Sequence, residues 1–102
     1  MYRASDELEH EAWLDEVASV AERLDLDGAT RSRAADLFLS NVPEEERSKR
    51  AVLAASVYVA GLVEGDRRTQ TEVADAAGVS RLTVQQRWKD VLEDAGLDAP
   101  GW

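Results

Sequence analysis

Five of the chain's twelve basic residues, Arg67, Arg68, Arg81, Arg87 and Lys89, fall between positions 67 and 89, where only Glu72 and Asp75 oppose them. Gln70, Thr83, Gln85 and Gln86 lie among them, each carrying hydrogen-bond donor and acceptor capacity. Residue types of this kind suit duplex recognition, because arginine can bond bidentately to guanine or grip a phosphate and glutamine matches adenine. Little else in the chain is reactive. Without cysteine it has no thiolate catalysis, disulfide or cysteine-bound zinc. His10, the one histidine, sits on an acidic helix with no serine or cysteine nucleophile placed nearby and reads as solvated surface. Asp6, Glu7, Glu9, Glu11, Asp15 and Glu16 read as a solvated helical face rather than a cation site or an acid/base pair. No glycine-rich phosphate loop occurs, so no enzyme, cofactor or metal is expected.

The charge around that segment is uneven. The chain of 102 residues carries −9 overall, with −7 in residues 1–27, +1 in 28–63 and −3 in 64–102. A local positive face is therefore expected on an acidic body. Ten of the twelve bases are arginine, and such an acidic, lysine-poor composition suits a cytoplasm at molar salt; a GC-rich genome would give the same arginine bias. The longest apolar run, Ala51 to Val63, is too short for a bilayer crossing, which takes about 20 residues. With no apolar leader after Met-Tyr-Arg, a cytoplasmic location is expected.

Five helices must position these groups. Ser5 or Asp6 can cap the first, along which Trp13, Val17, Val20 and Leu24 form one apolar stripe. Asp27-Gly28 breaks the chain, and Thr30 is the expected cap of a second helix buried through Ala34, Ala35, Phe38 and Val42. Pro43, followed by Glu44, Glu45 and Glu46, is the expected start of a third. From Ala51 to Val63 that helix is apolar almost all round, so the others should surround it, and Gly65 should end it. The two chain ends, Met1 to Ser5 and Asp98 to Trp102, are expected to fray.

Thr69-Gln70-Thr71-Glu72 fits a capping box and begins a short fourth helix that stops at Gly78. Ser80 caps the fifth, with Val84, Trp88, Val91 and Leu92 on its inner side. Small Ala74, Gly78 in the turn and β-branched Val84 match a helix-turn-helix over about residues 70–92. Arg81, Leu82, Thr83, Gln85, Gln86 and Lys89 would then point outward into a major groove, while Arg67, Arg68, Arg87 and Lys89 anchor phosphates. The same residues could instead form a packing corner with a solvated polar face. A further basic patch at Arg47, Lys49 and Arg50 is a lesser candidate.

The run Ala54-Ala55-Ser56-Val57-Tyr58-Val59-Ala60, then Thr69-Gln70-Thr71-Glu72-Val73-Ala74, Gly78-Val79-Ser80-Arg81-Leu82-Thr83-Val84 and Arg87-Trp88-Lys89, resembles the cyclin-like repeat of archaeal transcription factor B, of the TFIIB family. It is most similar to the C-terminal repeat. The resemblance implies an all-α, five-helix cyclin-like bundle ending in a helix-turn-helix, with residues 1–102 forming one domain. It implies promoter DNA as ligand, TATA-binding protein and RNA polymerase as partners, and Leu82 and Gln85 at base-reading positions beside Thr83 and Arg87. The family usually carries Arg where Gln85 stands. Neither a zinc ribbon nor a second repeat accompanies this one, and a natural standalone chain is the expectation. A small transcription regulator that binds DNA through residues 70–90, with Gln70 at the helix entry, is the first reading. The second is an interaction module that engages another transcription protein without reading DNA.

Overall fold

The computed structural model describes the backbone of residues 4–96 and side chains from His10 onward. Five helices follow in order: α1 (Ala4–Arg23), α2 (Gly28–Ser40), α3 (Glu46–Glu64), α4 (Gln70–Ala77) and α5 (Arg81–Asp94). No strand occurs among the described residues. The expected fraying of the two ends, and the capping role given to the side chains of Ser5 and Asp6, fall outside the described atoms; in the backbone, α1 already includes both residues.

The third helix is the axis of the bundle, because from Ala51 to Val63 its sequence gives it almost no polar side chain to show to water. Every residue from Val52 to Gly61 is buried, and α2, α5 and α4 pack around it. Ala54, Ala55, Ala60 and Gly61 supply the small positions that let neighbouring backbones approach. The larger fully buried side chains of α1, α2 and α3, among them Phe38, Leu53, Val17, Val20, Val57 and Val59, belong to one core cluster. Burial of each contributes about 1.5–3 kcal/mol relative to exposure. Trp13 of α1 closes one end against Phe38, with ring centroids 6.0 Å apart.

Two helix starts differ from expectation. Asp27, not Thr30, caps α2: its carboxylate accepts from the Thr30 amide at 2.9 Å, and Gly28 becomes the first helical residue. Asp25, with φ 55, makes the turn that the sequence suggested for Asp27-Gly28. Pro43 does not begin α3. The helix starts at Glu46 after Glu45, whose side chain makes no capping bond, and residues 41–45, Pro43 among them, serve as the bridge from α2. The end of α3 is as expected, at Gly65 with φ 73, a left-handed value at which glycine avoids a Cβ clash.

Candidate nucleic-acid interface

The two-helix corner after α3 is built from local signals that agree with each other. Thr69 accepts from the Glu72 amide, and Glu72 accepts from the Thr69 amide, both at 3.1 Å, so two otherwise unpaired donors of α4 are satisfied reciprocally. These bonds hold the Glu72 carboxyl below its ordinary pKa, the Thr69 amide acting most strongly. Only eight residues long, α4 is too short to persist by itself. Its C-terminal carbonyls are held from outside: Arg23 of α1 donates to the Ala76 carbonyl at 2.8 Å, and Arg50 of α3 to that of Ala77 at 3.1 Å. Two cations thus meet the negative end of the helix dipole. Gly78, at φ 75, then turns the chain, and Ser80 caps α5 by accepting from the Thr83 amide at 3.1 Å.

Val84, Trp88, Val91 and Leu92 are buried, and the Trp88 ring meets Tyr58 of α3 edge-on at 5.5 Å and 72°. Ala74 is buried where α4 supports the corner. The opposite face of α5 is open. Leu82 is 56% exposed, one of two large exposed apolar side chains among the described residues, and Gln85, Gln86 and Lys89 are exposed beside it. Thr83 is half-buried, its hydroxyl 2.9 Å from that of Ser80.

The arginines divide into three groups. Exposed Arg81 joins Arg67, Thr69, Gln70, Thr71 and Tyr58 around an open cleft of about 370 Å³ at the start of α4. Exposed Arg87 turns the other way, to a second cleft of about 180 Å³ with Asn41, Pro43, Val52, Asp90, Val91 and Asp94. Neither Arg81 nor Arg87 forms an ion pair or hydrogen bond with another described residue. Arg68, expected as a phosphate anchor, is directed inward instead: it donates to the carbonyls of Leu24 at 3.0 Å and Asp25 at 3.3 Å and to the Asp66 carboxylate at 2.9 Å. The lesser patch is also dispersed. Lys49 is buried and bonded to Glu46, while Arg50 bridges Glu16 and lies over the Trp13 ring, so Arg47 alone of the three is exposed.

Beyond Lys89, α5 ends in exposed Asp90, Glu93 and Asp94. Any phosphate-binding surface on this helix is therefore limited to its first half, since the carboxylates of the second would repel phosphates. Among the described residues no group of acidic or histidine side chains is arranged to hold a metal ion.

Residues 7–94, which end at the last residue of α5, match the Transcription factor TFIIB repeat family. The chain belongs to that family. Its relatives include proteins named Transcription initiation factor IIB: one from Methanosarcina mazei is 35% identical over 88 residues, covering 83% of this chain and 26% of that protein. One from Methanococcus maripaludis strain C5 is 37% identical over 89 residues, with 83% and 26% covered. One from Pyrococcus abyssi is 35% identical over 89 residues, with 84% and 30% covered. The chain thus spans between a quarter and a third of the length of these relatives.

The TFIIB repeat also depends on residues that sequence reading passed over. Asp66, in the loop between α3 and α4, accepts from the Asp27 amide at 2.9 Å, the Arg68 guanidinium at 2.9 Å and the Thr30 hydroxyl at 3.3 Å. The Asp27 amide is the main cause of a carboxyl pKa below the ordinary value, with Arg68 and Thr30 adding to it. Gly61 lets this loop lie against α3: a Cβ there would stand 2.8 Å from the Asp66 carbonyl oxygen. The sequence signal was a glycine inside an apolar helix, a position that costs about 1 kcal/mol relative to alanine unless something approaches closely.

Proposed function

We propose that this TFIIB repeat binds promoter duplex DNA, with α4 and α5 acting as a helix-turn-helix and the first half of α5 entering the major groove. The observation that carries this reading is the exposed, uncharged crest of Leu82, Gln85 and Gln86, flanked by exposed Arg81 on one side and Arg87 on the other. Guanidinium groups at the flanks suit phosphates, and the crest suits base edges. Arg67, Gln70 and Thr71 extend the phosphate-contacting edge at the start of α4. Lys89, with its ammonium 5.7 Å from the Trp88 ring centroid, adds charge at the outer end of the crest. Arg68 supports the loop rather than the duplex.

The test is a titration of labelled duplex followed by fluorescence anisotropy at several salt concentrations. Loss of each of Arg67, Arg81 and Arg87 to alanine is expected to weaken binding similarly for all sequences and to reduce the salt slope by about one. Unchanged slopes in all three variants would overturn the reading.

A second reading has its own support. The cleft between the α2–α3 bridge and α5 is bounded by Arg87 together with Asp90 and Asp94, a mixed-charge rim over apolar Val52 and Val91. Such a rim fits a protein partner, and the family implies TATA-binding protein or RNA polymerase. Amide shifts that appear around Asn41 and Asp94 with such a protein, and are absent with DNA, would favour it.

A further inference from the structure

Given the DNA-binding reading above, the geometry points to thymine–adenine steps as what α5 selects, with Leu82 packed on a thymine methyl and a glutamine reading the neighbouring adenine. The inference rests on which side chains the fold leaves at the centre of the exposed face. The candidates for guanine recognition lie at the flanks or the far end of that face. Arg81 lines the cleft toward α4 with Arg67 and Tyr58, and Arg87 lines the cleft toward Asn41 and Pro43. Lys89 lies in line with Leu82 but about two turns further along, its ammonium beside the Trp88 ring. What remains at the crest is Leu82, opposite buried Val84 and Trp88, with Gln85 and Gln86 one turn on. Three and four positions along a helix fall to either side of the line through the starting residue. The two glutamines therefore straddle Leu82.

The chemistry of that triplet is selective. A leucine has no hydrogen-bonding atom, so against guanine, cytosine or adenine it would strip water from polar edges and leave them unpaired. Thymine alone among the unmodified bases presents a methyl group in the major groove. A glutamine amide offers one acceptor for the adenine N6 amino group and one donor for N7, the bidentate match that guanine, with two acceptors, does not complete. Packing does not account for Leu82, which is 56% exposed and belongs neither to the core nor to the half-buried apolar residues packed against it.

The experiment separates this inference from the reading beneath it. Duplexes are selected from a randomised pool by the full chain, and the winning sequence is then remade with deoxyuridine in place of each thymine in turn. Deoxyuridine keeps the base pair and its hydrogen bonds and removes only the methyl. Enrichment of T·A steps is expected, with about a fourfold loss of affinity at one thymine, the scale of one buried methyl group. Leu82→Ala is expected to erase that thymine/uracil difference while keeping the salt slope, and because Leu82 is exposed the variant should fold as the parent does. Enrichment of G·C-rich duplexes, or equal affinity for thymine and uracil at every position, would overturn the inference while leaving DNA binding intact. Failure to retain any duplex would overturn DNA binding itself and this inference with it.

Discussion

The carboxylate of Asp66 accepts a hydrogen bond from the backbone amide of Asp27 at 2.9 Å, across 39 residues of sequence. This contact ties the loop that leads into α4 to the corner between α1 and α2. Because Asp27 in turn caps α2 and Arg68 reaches from the same loop to the Leu24 carbonyl, the orientation of α4 is set by the far end of the bundle. The candidate interface is thereby held on a rigid base.

That linkage has a pH signature. Asp66 and Glu72 titrate below their ordinary values of 3.8 and 4.5 in the folded chain, each mainly through a backbone amide that bonds the ionised form. Folded pKa values that are depressed stabilise the fold fully above the unfolded values, and this contribution is lost as pH falls through the folded ones. Urea midpoints should therefore be flat near neutrality and fall as the solution is acidified below about pH 4.5. Asp66→Asn should lower stability at neutral pH and flatten part of that acid limb. An unaltered limb in the variant would show that Asp66 is not among the groups responsible.

Gly61→Ala should destabilise the chain by about 1–3 kcal/mol, because the new methyl group would meet the backbone oxygen of Asp66, and backbone cannot swing aside as a long side chain can. Gly28→Ala is the comparison. It has open space and an ordinary helical position, so it should be neutral or stabilising by about 0.4–1 kcal/mol. Urea denaturation of the two variants decides whether close approach or chain stiffness governs these positions.

Gly78→Ala isolates backbone strain, since no atom stands within 4 Å of the added Cβ but φ is 75. A cost of about 1–2 kcal/mol is expected. Thr69→Ala, which removes one half of the capping box, should cost about 0.5–2 kcal/mol. Amide hydrogen exchange should localise both losses to α4; exchange rising equally over the whole chain would mean that α4 does not open as a separate unit.

Arg68→Ala and Arg87→Ala should behave oppositely. Arg68 is part-buried and bonded to carbonyls and a carboxylate, so its loss should cost about 1–3 kcal/mol of stability. Arg87 is exposed and makes no such bonds, so its loss should leave the melting midpoint within about 0.5 kcal/mol of the parent and act on DNA affinity alone. A thermal melt and an anisotropy titration on the same two samples check both statements.

The sequence alone carried the five helices, their order, and the corner at Gly78. It could do so because these depend on signals local to a few residues: the capping box at Thr69, the serine cap at Ser80, the glycines at helix ends and the apolar periodicity of α1 and α5. The nearly all-apolar character of α3 likewise announced its central place. The starts of α2 and α3 were misplaced by a few residues, since several polar residues near each could cap and only the packed chain selects one.

Which basic side chains face outward was decided by the tertiary structure. Arg67 and Arg68 are adjacent in sequence and alike in chemistry, yet one lines the exposed cleft and the other is spent on carbonyls more than forty residues away. Arg50 and Lys49, similarly, are engaged by Glu16, Glu46 and the carbonyl of Ala77 at the end of α4. Partners of this kind are brought within reach only when helices distant in the chain pack together. A residue's type therefore states what it can bond, and the fold settles what is there to be bonded.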